Sequence, residues 1–373
     1  MPSDLYRRLQ QHLDRMPVPF PATKSGVEIR ILQRLFNAEE AEAALALSMV
    51  PELPTIIRKR LARTWTLDTL VAVLESMVEK GLIERVTTRR RKRYAKSILA
   101  VGIYERQLTR LTAALQRDVE EYFEEAFGAA FHSVKPHQMR TVPVKIDLTP
   151  ERTVASYDDI RGFVAETDGP FAVMDCICRH GRDLLGEPCR QTALRSTCLT
   201  FGPAARGMVA SGAAHFVERE QTLEILTLAD REGLVLQPQN TTEPIFVCCC
   251  CGCCCGVLRS AKSLPEPARL FATNYSAASD GEICSGCAIC ESRCQMDAIH
   301  VTDGSSAVDV SRCIGCGLCV TTCATGAMRL VANPSSTQPA ATTPALYLKM
   351  YRERFGTYEM AKALGKAVLG RQV

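Results

Sequence analysis

Apolar residues recur at spacings of three and four in GVEIRILQRLF (26–36), AEEAEAALALSM (38–49) and LDTLVAVLESMVEKGLI (67–83). That period predicts three amphipathic helices, each with a stripe facing a core. After Gly81 the pattern changes: IERVTTRRRKRYAKS carries β-branched and aromatic positions among basic ones and predicts a basic hairpin. Helical spacing of Leu, Tyr and Phe returns from Ile98 to about Val134 and predicts a packing or dimer helix. PVKIDL and GPFAVMDCICR are expected to be short strands or connectors. Residues 333–343, rich in Pro, Ser and Thr, are expected to be a linker, and 344–373 a helical tail broken near Gly356.

The cysteines change this picture. All 19 lie between residues 176 and 323 of a 373-residue chain, so the first 175 residues have none. The shift in composition marks separate modules, as the length prior of about 100 to 200 residues per domain also suggests. The expected fold class is multidomain α+β. A mainly helical winged-helix N-terminal domain (1–145) precedes a cysteine-rich middle segment (146–275), a ferredoxin-like dicluster domain (276–332), the linker and the C-terminal helix. No stretch approaches 18 uninterrupted apolar residues and the first residues lack the apolar core of a signal peptide, so the chain is expected in the cytoplasm without a membrane span. In a reducing compartment an odd number of cysteines points to metal ligation rather than disulfides.

Two copies of one motif stand 29 positions apart: C-S-G-C-A-I-C-E-S-R-C at 284–294 and C-I-G-C-G-L-C-V-T-T-C at 313–323, each C-x2-C-x2-C-x3-C. A loop with a cysteine at every third position can wrap three thiolates onto three irons of one cube. The fourth iron is out of its reach, so the fourth cysteine of each run serves the other cluster. Cys284, Cys287, Cys290 and Cys323 would hold one [4Fe-4S] cluster, and Cys313, Cys316, Cys319 and Cys294 a second. The repeat resembles bacterial dicluster ferredoxins, a resemblance that implies two cubes close enough for fast one-electron exchange. Where those proteins usually carry proline after the fourth cysteine, this chain has Gln295 and Ala324, which should loosen the turn without removing a ligand.

Eleven further cysteines lie at 176, 178, 189, 198, 248–251 and 253–255. Soft thiolates in such number select an iron–sulfur group or zinc. DCICRHGRDLLGEPC followed by VCCCCGCCCG resembles a family that joins a winged helix, this segment and a dicluster ferredoxin. The resemblance implies at least one additional iron–sulfur cluster, with Cys176, Cys178, Cys189, Cys198, Cys250, Cys251, Cys253 and Cys254 as candidate ligands. A non-cubane or catalytic cluster, zinc and unligated thiols stay open. Arg179, His180 and Arg182, just after Cys178, are either a charge that tunes a cluster or a solvated loop.

Arg85, Arg89, Arg90, Arg91, Lys92, Arg93 and Lys96 crowd the predicted hairpin, a density that suits phosphates. The region 26–97 resembles winged-helix transcription factors, although the helix at 67–80 offers no Arg, Asn or Gln to read bases. No nucleotide loop, flavin fingerprint or Ser/His/Asp constellation is present. The leading expectation is therefore a non-catalytic electron-transfer protein that exchanges single electrons with a redox partner or oxidoreductase complex. The alternatives are a redox-sensing DNA-binding regulator and a small reductase with a catalytic central cluster; a homodimer is compatible with each.

Overall fold

The computed structural model describes residues 2–145, 156–334 and 337–373, so the second half of PVKIDL (143–148), expected to be a short strand or connector, lies outside the described residues. By contact the chain divides into two compact units: 1–134 with 211–213 and 347–373, and 135–210 with 214–346.

The first unit is mainly helical. Helices Val27–Leu35, Ala38–Leu45 and Leu67–Glu79 form where the apolar period places them. The second starts on a capping box: Asn37 accepts from the Glu40 backbone N–H at 2.8 Å, and Glu40 accepts from that of Asn37 at 3.0 Å. Leu70, Leu74 and Met77 bury the inner face of Leu67–Glu79. The stretch 98–134 is not one helix. Residues 99–107 fold into short turns, and the continuous helix starts only after Thr112, whose hydroxyl caps the Leu115 N–H at 3.2 Å. It then runs from Ala113 to Ser133 and buries Tyr122, Phe127 and Phe131. The tail helix Thr343–Val368 breaks at Gly356, whose φ of 82° no helix accommodates.

Strands Ile83–Thr88 and Arg91–Lys96 pair antiparallel, with Thr88 opposite Arg91. The two-residue turn between them holds Arg89 and Arg90 at φ 50° and 64°, a left-handed conformation that such turns require and usually give to Asn-Gly. The basic run is not uniformly presented. Arg85 and Lys92 reach Glu75 at 2.6 and 3.1 Å. Lys96 is buried, and desolvation pushes its pKa down to about 7. Arg89, Arg90 and Arg91 remain exposed at the tip.

The second unit is built on a five-stranded antiparallel sheet, of which the sequence pattern announced only Phe171–Asp175, within GPFAVMDCICR. Its order is His215–Val217, Phe171–Asp175, Ser196–Phe201, Phe246–Cys250, Val235–Pro238. Val164, Leu199, Leu226, Leu234 and Val247 are fully buried against it. Two antiparallel strand pairs follow in the repeat region: Tyr275–Ser279 with Met328–Ala332, and the hairpin Ile299–Thr302 with Ser305–Val308. Arg140 staples this unit internally. It meets Asp158 at 3.2 Å and donates to the Gln239 and Thr241 carbonyls at 2.6 and 2.7 Å. Among the described residues no helix is long and apolar enough to cross a membrane.

Candidate metal centres

The repeat region surrounds two cavities. Cys284, Cys287 and Cys290 line one together with Cys323, and Cys313, Cys316 and Cys319 line the other together with Cys294. Each cavity thus draws three cysteines from one run and the fourth from the other. The turns that allow this need glycine: Gly286 and Gly315 occupy equivalent places at φ 67° and 66°, and a Cβ on Gly315 would lie 2.1 Å from the Tyr275 carbonyl oxygen. Backbone N–H groups point at the sulfurs. Ala277 donates to Cys313 at 3.2 Å, Ala298 to Cys294 at 3.2 Å and Met328 to Cys323 at 3.3 Å. Such bonds lower the charge that thiolates present to a cluster.

The two cavities differ in their exposure. Cys287 is exposed, and Ile283 and Ile289 beside it are 50% and 45% accessible. Cys313 and Cys319 are buried, and desolvation pushes Cys316 up to about 12 and raises Cys319 as well.

The middle cysteines fall into two separate sets. In the strand Phe246–Cys250 successive side chains alternate in face, which puts Cys248 and Cys250 on one side and Cys249 on the other. Cys198 from the neighbouring strand, Cys176 and Cys178 at the start of helix Ile177–Leu184, and Cys255 before helix Gly256–Lys262 complete the first set. Cys176 meets Cys178 and Cys198, Cys178 meets Cys255, Cys255 meets Cys250, Cys250 meets Cys248 and Cys248 meets Cys198, so six thiols close into a ring. Hydrogen bonds from both neighbours hold Cys176, Cys255 and Cys248 low, Cys248 at about 6. The same bonds push the intervening Cys178, Cys198 and Cys250 up. Cys249 joins neither set; it is buried in the apolar core, and desolvation raises it to about 12.

The second set is tighter. Cys189 Sγ lies 3.7 Å from both Cys251 and Cys253, Cys253 lies 3.7 Å from Cys254, and all four sulfurs are within 4.8 Å of one another. Hydrogen bonding within the set, first from Cys251, lowers Cys189 to about 6. The eight cysteines expected to serve one further cluster are therefore divided four and four: Cys176, Cys178, Cys198 and Cys250 in the ring, Cys189, Cys251, Cys253 and Cys254 in the tetrad. Cys248 and Cys255 were absent from that expectation. The strand alternation through FVCCC was the available signal for Cys248, whereas Cys255 is placed by a turn.

Residues 307–329 match the family model for the 4Fe-4S binding domain. The matched segment contains the second cysteine run, and the first lies outside it. No curated protein and no solved structure matches the chain.

Gln295, next to Cys294, ties the first cysteine run to the tetrad. Its side-chain oxygen accepts from the Gly252 N–H at 2.7 Å, and its amide nitrogen donates to Gln191 at 3.0 Å. One side chain thus grips both segments that carry the tetrad. The fit is close, since a Cβ on Gly252 would stand 2.3 Å from the Gln295 carbonyl oxygen. Arg179 lies between the two thiol sets. It is the largest of the fully buried side chains and donates to Thr197 Oγ1 and the Cys249 carbonyl, each at 2.6 Å. Burial opposes its charge, but the thiolates of Cys176, Cys251 and Cys198 more than offset this and raise its pKa. Arg182, by contrast, pairs with Glu187.

Proposed function

We propose that the chain is an electron-transfer protein that carries two [4Fe-4S] clusters in the repeat region and a further iron–sulfur group in the six-thiol ring, and that it passes single electrons to or from a partner oxidoreductase. The observation that carries this reading is the pair of cavities, each lined by three cysteines of one run and the fourth of the other. Cys284, Cys287, Cys290 and Cys323 would hold one cluster and Cys313, Cys316, Cys319 and Cys294 the second; each group then supplies a reversible one-electron couple. The protein's own part is to aim backbone N–H groups at the sulfurs, exclude water from the buried cavity and leave the other near the surface. The exposed edge around Cys287, Ile283 and Ile289 is where a partner would exchange electrons. The test is iron and acid-labile sulfide per chain in anaerobically purified protein, with EPR of the reduced sample. About eight of each is the minimum for the two clusters, and more of both iron and sulfide assigns a further cluster to the ring. Fewer than that defeats the two-cluster reading.

A second reading rests on the hairpin tip. In a winged-helix domain, exposed Arg89, Arg90 and Arg91 on a strained two-residue turn would suit a phosphate backbone, and cluster oxidation would then regulate DNA binding. Against it, helix Leu67–Glu79 exposes Leu67, Asp68, Thr69, Ala72 and Glu79, which include no Arg, Lys, Asn or Gln for a bidentate base contact. DNA affinity that falls steeply with salt and changes with cluster oxidation would select this reading over docking to an acidic protein.

A further inference from the structure

We infer that Cys189, Cys251, Cys253 and Cys254 bind a single tetrahedral metal ion of the zinc or iron class, and not an iron–sulfur cluster. The separations of the sulfurs decide this. A metal–sulfur bond of about 2.3 Å puts neighbouring ligands of a tetrahedral ion about 3.8 Å apart. Three of the tetrad's sulfur pairs stand at 3.7 Å, and no pair exceeds 4.8 Å. A cubane keeps its thiolates outside a four-iron core, at separations of about 6 Å. The same molecule provides the contrast, because the cysteines of the repeat stand four to a cavity around two cavities.

The surroundings fit a single ion. Four thiolates are soft ligands that select zinc or iron over calcium or magnesium. With a divalent ion they carry two net negative charges, and the buried Arg179 guanidinium beside Cys251 offsets one of them. The ligands come from two segments. Cys189 lies on the loop after helix Ile177–Leu184, whereas Cys251, Cys253 and Cys254 lie on the turn after strand Phe246–Cys250. An ion here staples these segments at the place where Gln295 grips both. The site is thus the junction between the cysteine-rich sheet and the first cysteine run.

The test compares the full-length wild-type chain with Cys253→Ser, both purified without oxygen, by metal mass spectrometry and acid-labile sulfide. The variant is expected to lose one zinc or one iron per chain, with sulfide unchanged and the EPR signals of the reduced clusters retained. Loss of about four irons with matching sulfide, the content of one cubane, would overturn the inference, and so would an unchanged metal content. If Cys253→Ser fails to fold, wild-type protein produced on cobalt decides. One cobalt per chain with a high-spin, tetrahedral thiolate signature supports the single ion, and no cobalt uptake overturns it. Failure of the two-cluster reading would show separately, as a shortfall of sulfide in the wild-type chain.

Discussion

Two kinds of cysteine environment share one unit of this protein. In the repeat region the thiols stand apart round two cavities and receive hydrogen bonds from backbone N–H groups. In the middle region the four thiols of the tetrad meet one another, with sulfur pairs at 3.7 Å. The difference is one of what the backbone must leave room for. A cluster brings its own sulfides and needs a preformed space with N–H groups around it, whereas a single ion needs only that four sulfurs converge. A count of cysteines does not separate these cases, but the spacing of the sulfurs does.

The largest expected effect tests the cavity side of this contrast. Cys294→Ser should remove the same cluster as Cys313→Ser, and Cys323→Ser the same one as Cys284→Ser, each with loss of about four irons and four sulfides. Losses paired within a run, Cys294 with Cys284, would break the crossed arrangement. Next comes the space itself. Gly315→Ala places a methyl 2.1 Å from the Tyr275 carbonyl oxygen and forces a left-handed residue, so it should destabilise the unit by more than about 3 kcal/mol. Gly286→Ala, with its nearest backbone contact at 2.7 Å, should cost less, and denaturant unfolding of the two variants measures the order.

A smaller effect is expected at the junction. Gln295→Leu leaves the Gly252 N–H without its acceptor and should cost about 1 to 3 kcal/mol, seen as faster amide exchange at Gly252 with the iron content unchanged. Equal protection in the variant would show that the junction holds by packing alone. The smallest effect concerns exposure. Water stabilises the added charge of a reduced cluster, so the cluster bounded by Cys287 should have the higher of two midpoint potentials. Ile289→Lys should raise that potential further by roughly 20 mV, the Coulomb energy of a charge about 8 Å away in water, and leave the buried cluster unmoved. A redox titration followed by EPR reads both.

The legible parts of the fold are those whose period is local. The helices at 26–36 and 67–83 and the hairpin after Gly81 lie where the pattern puts them, because helical and extended stripes repeat within a dozen residues. The continuous pattern over 98–134 misled, since residues 98–112 bury apolar side chains in turns at spacings that imitate a helix. Lys96 looked like part of a basic surface and is buried, because composition does not reveal which side of a strand faces the core. Most of the five-stranded sheet was invisible for a related reason: its strands, three to six residues long, draw their pairing from residues up to 48 positions apart, as Leu199 with Val247.

By itself the sequence determined that the chain handles metal through thiolates, and it set the two C-x2-C-x2-C-x3-C runs whose spacing is a local property of one loop. Tertiary structure alone decided how the eleven middle cysteines are shared out. Strand alternation sent Cys248 and Cys250 one way and Cys249 the other, and the turn at Gly252 sent Cys251, Cys253 and Cys254 towards Cys189, 62 positions away from Cys251. It also gave Gln295 a task that no spacing rule contains, because a hydrogen bond between distant segments exists only once both have been brought together.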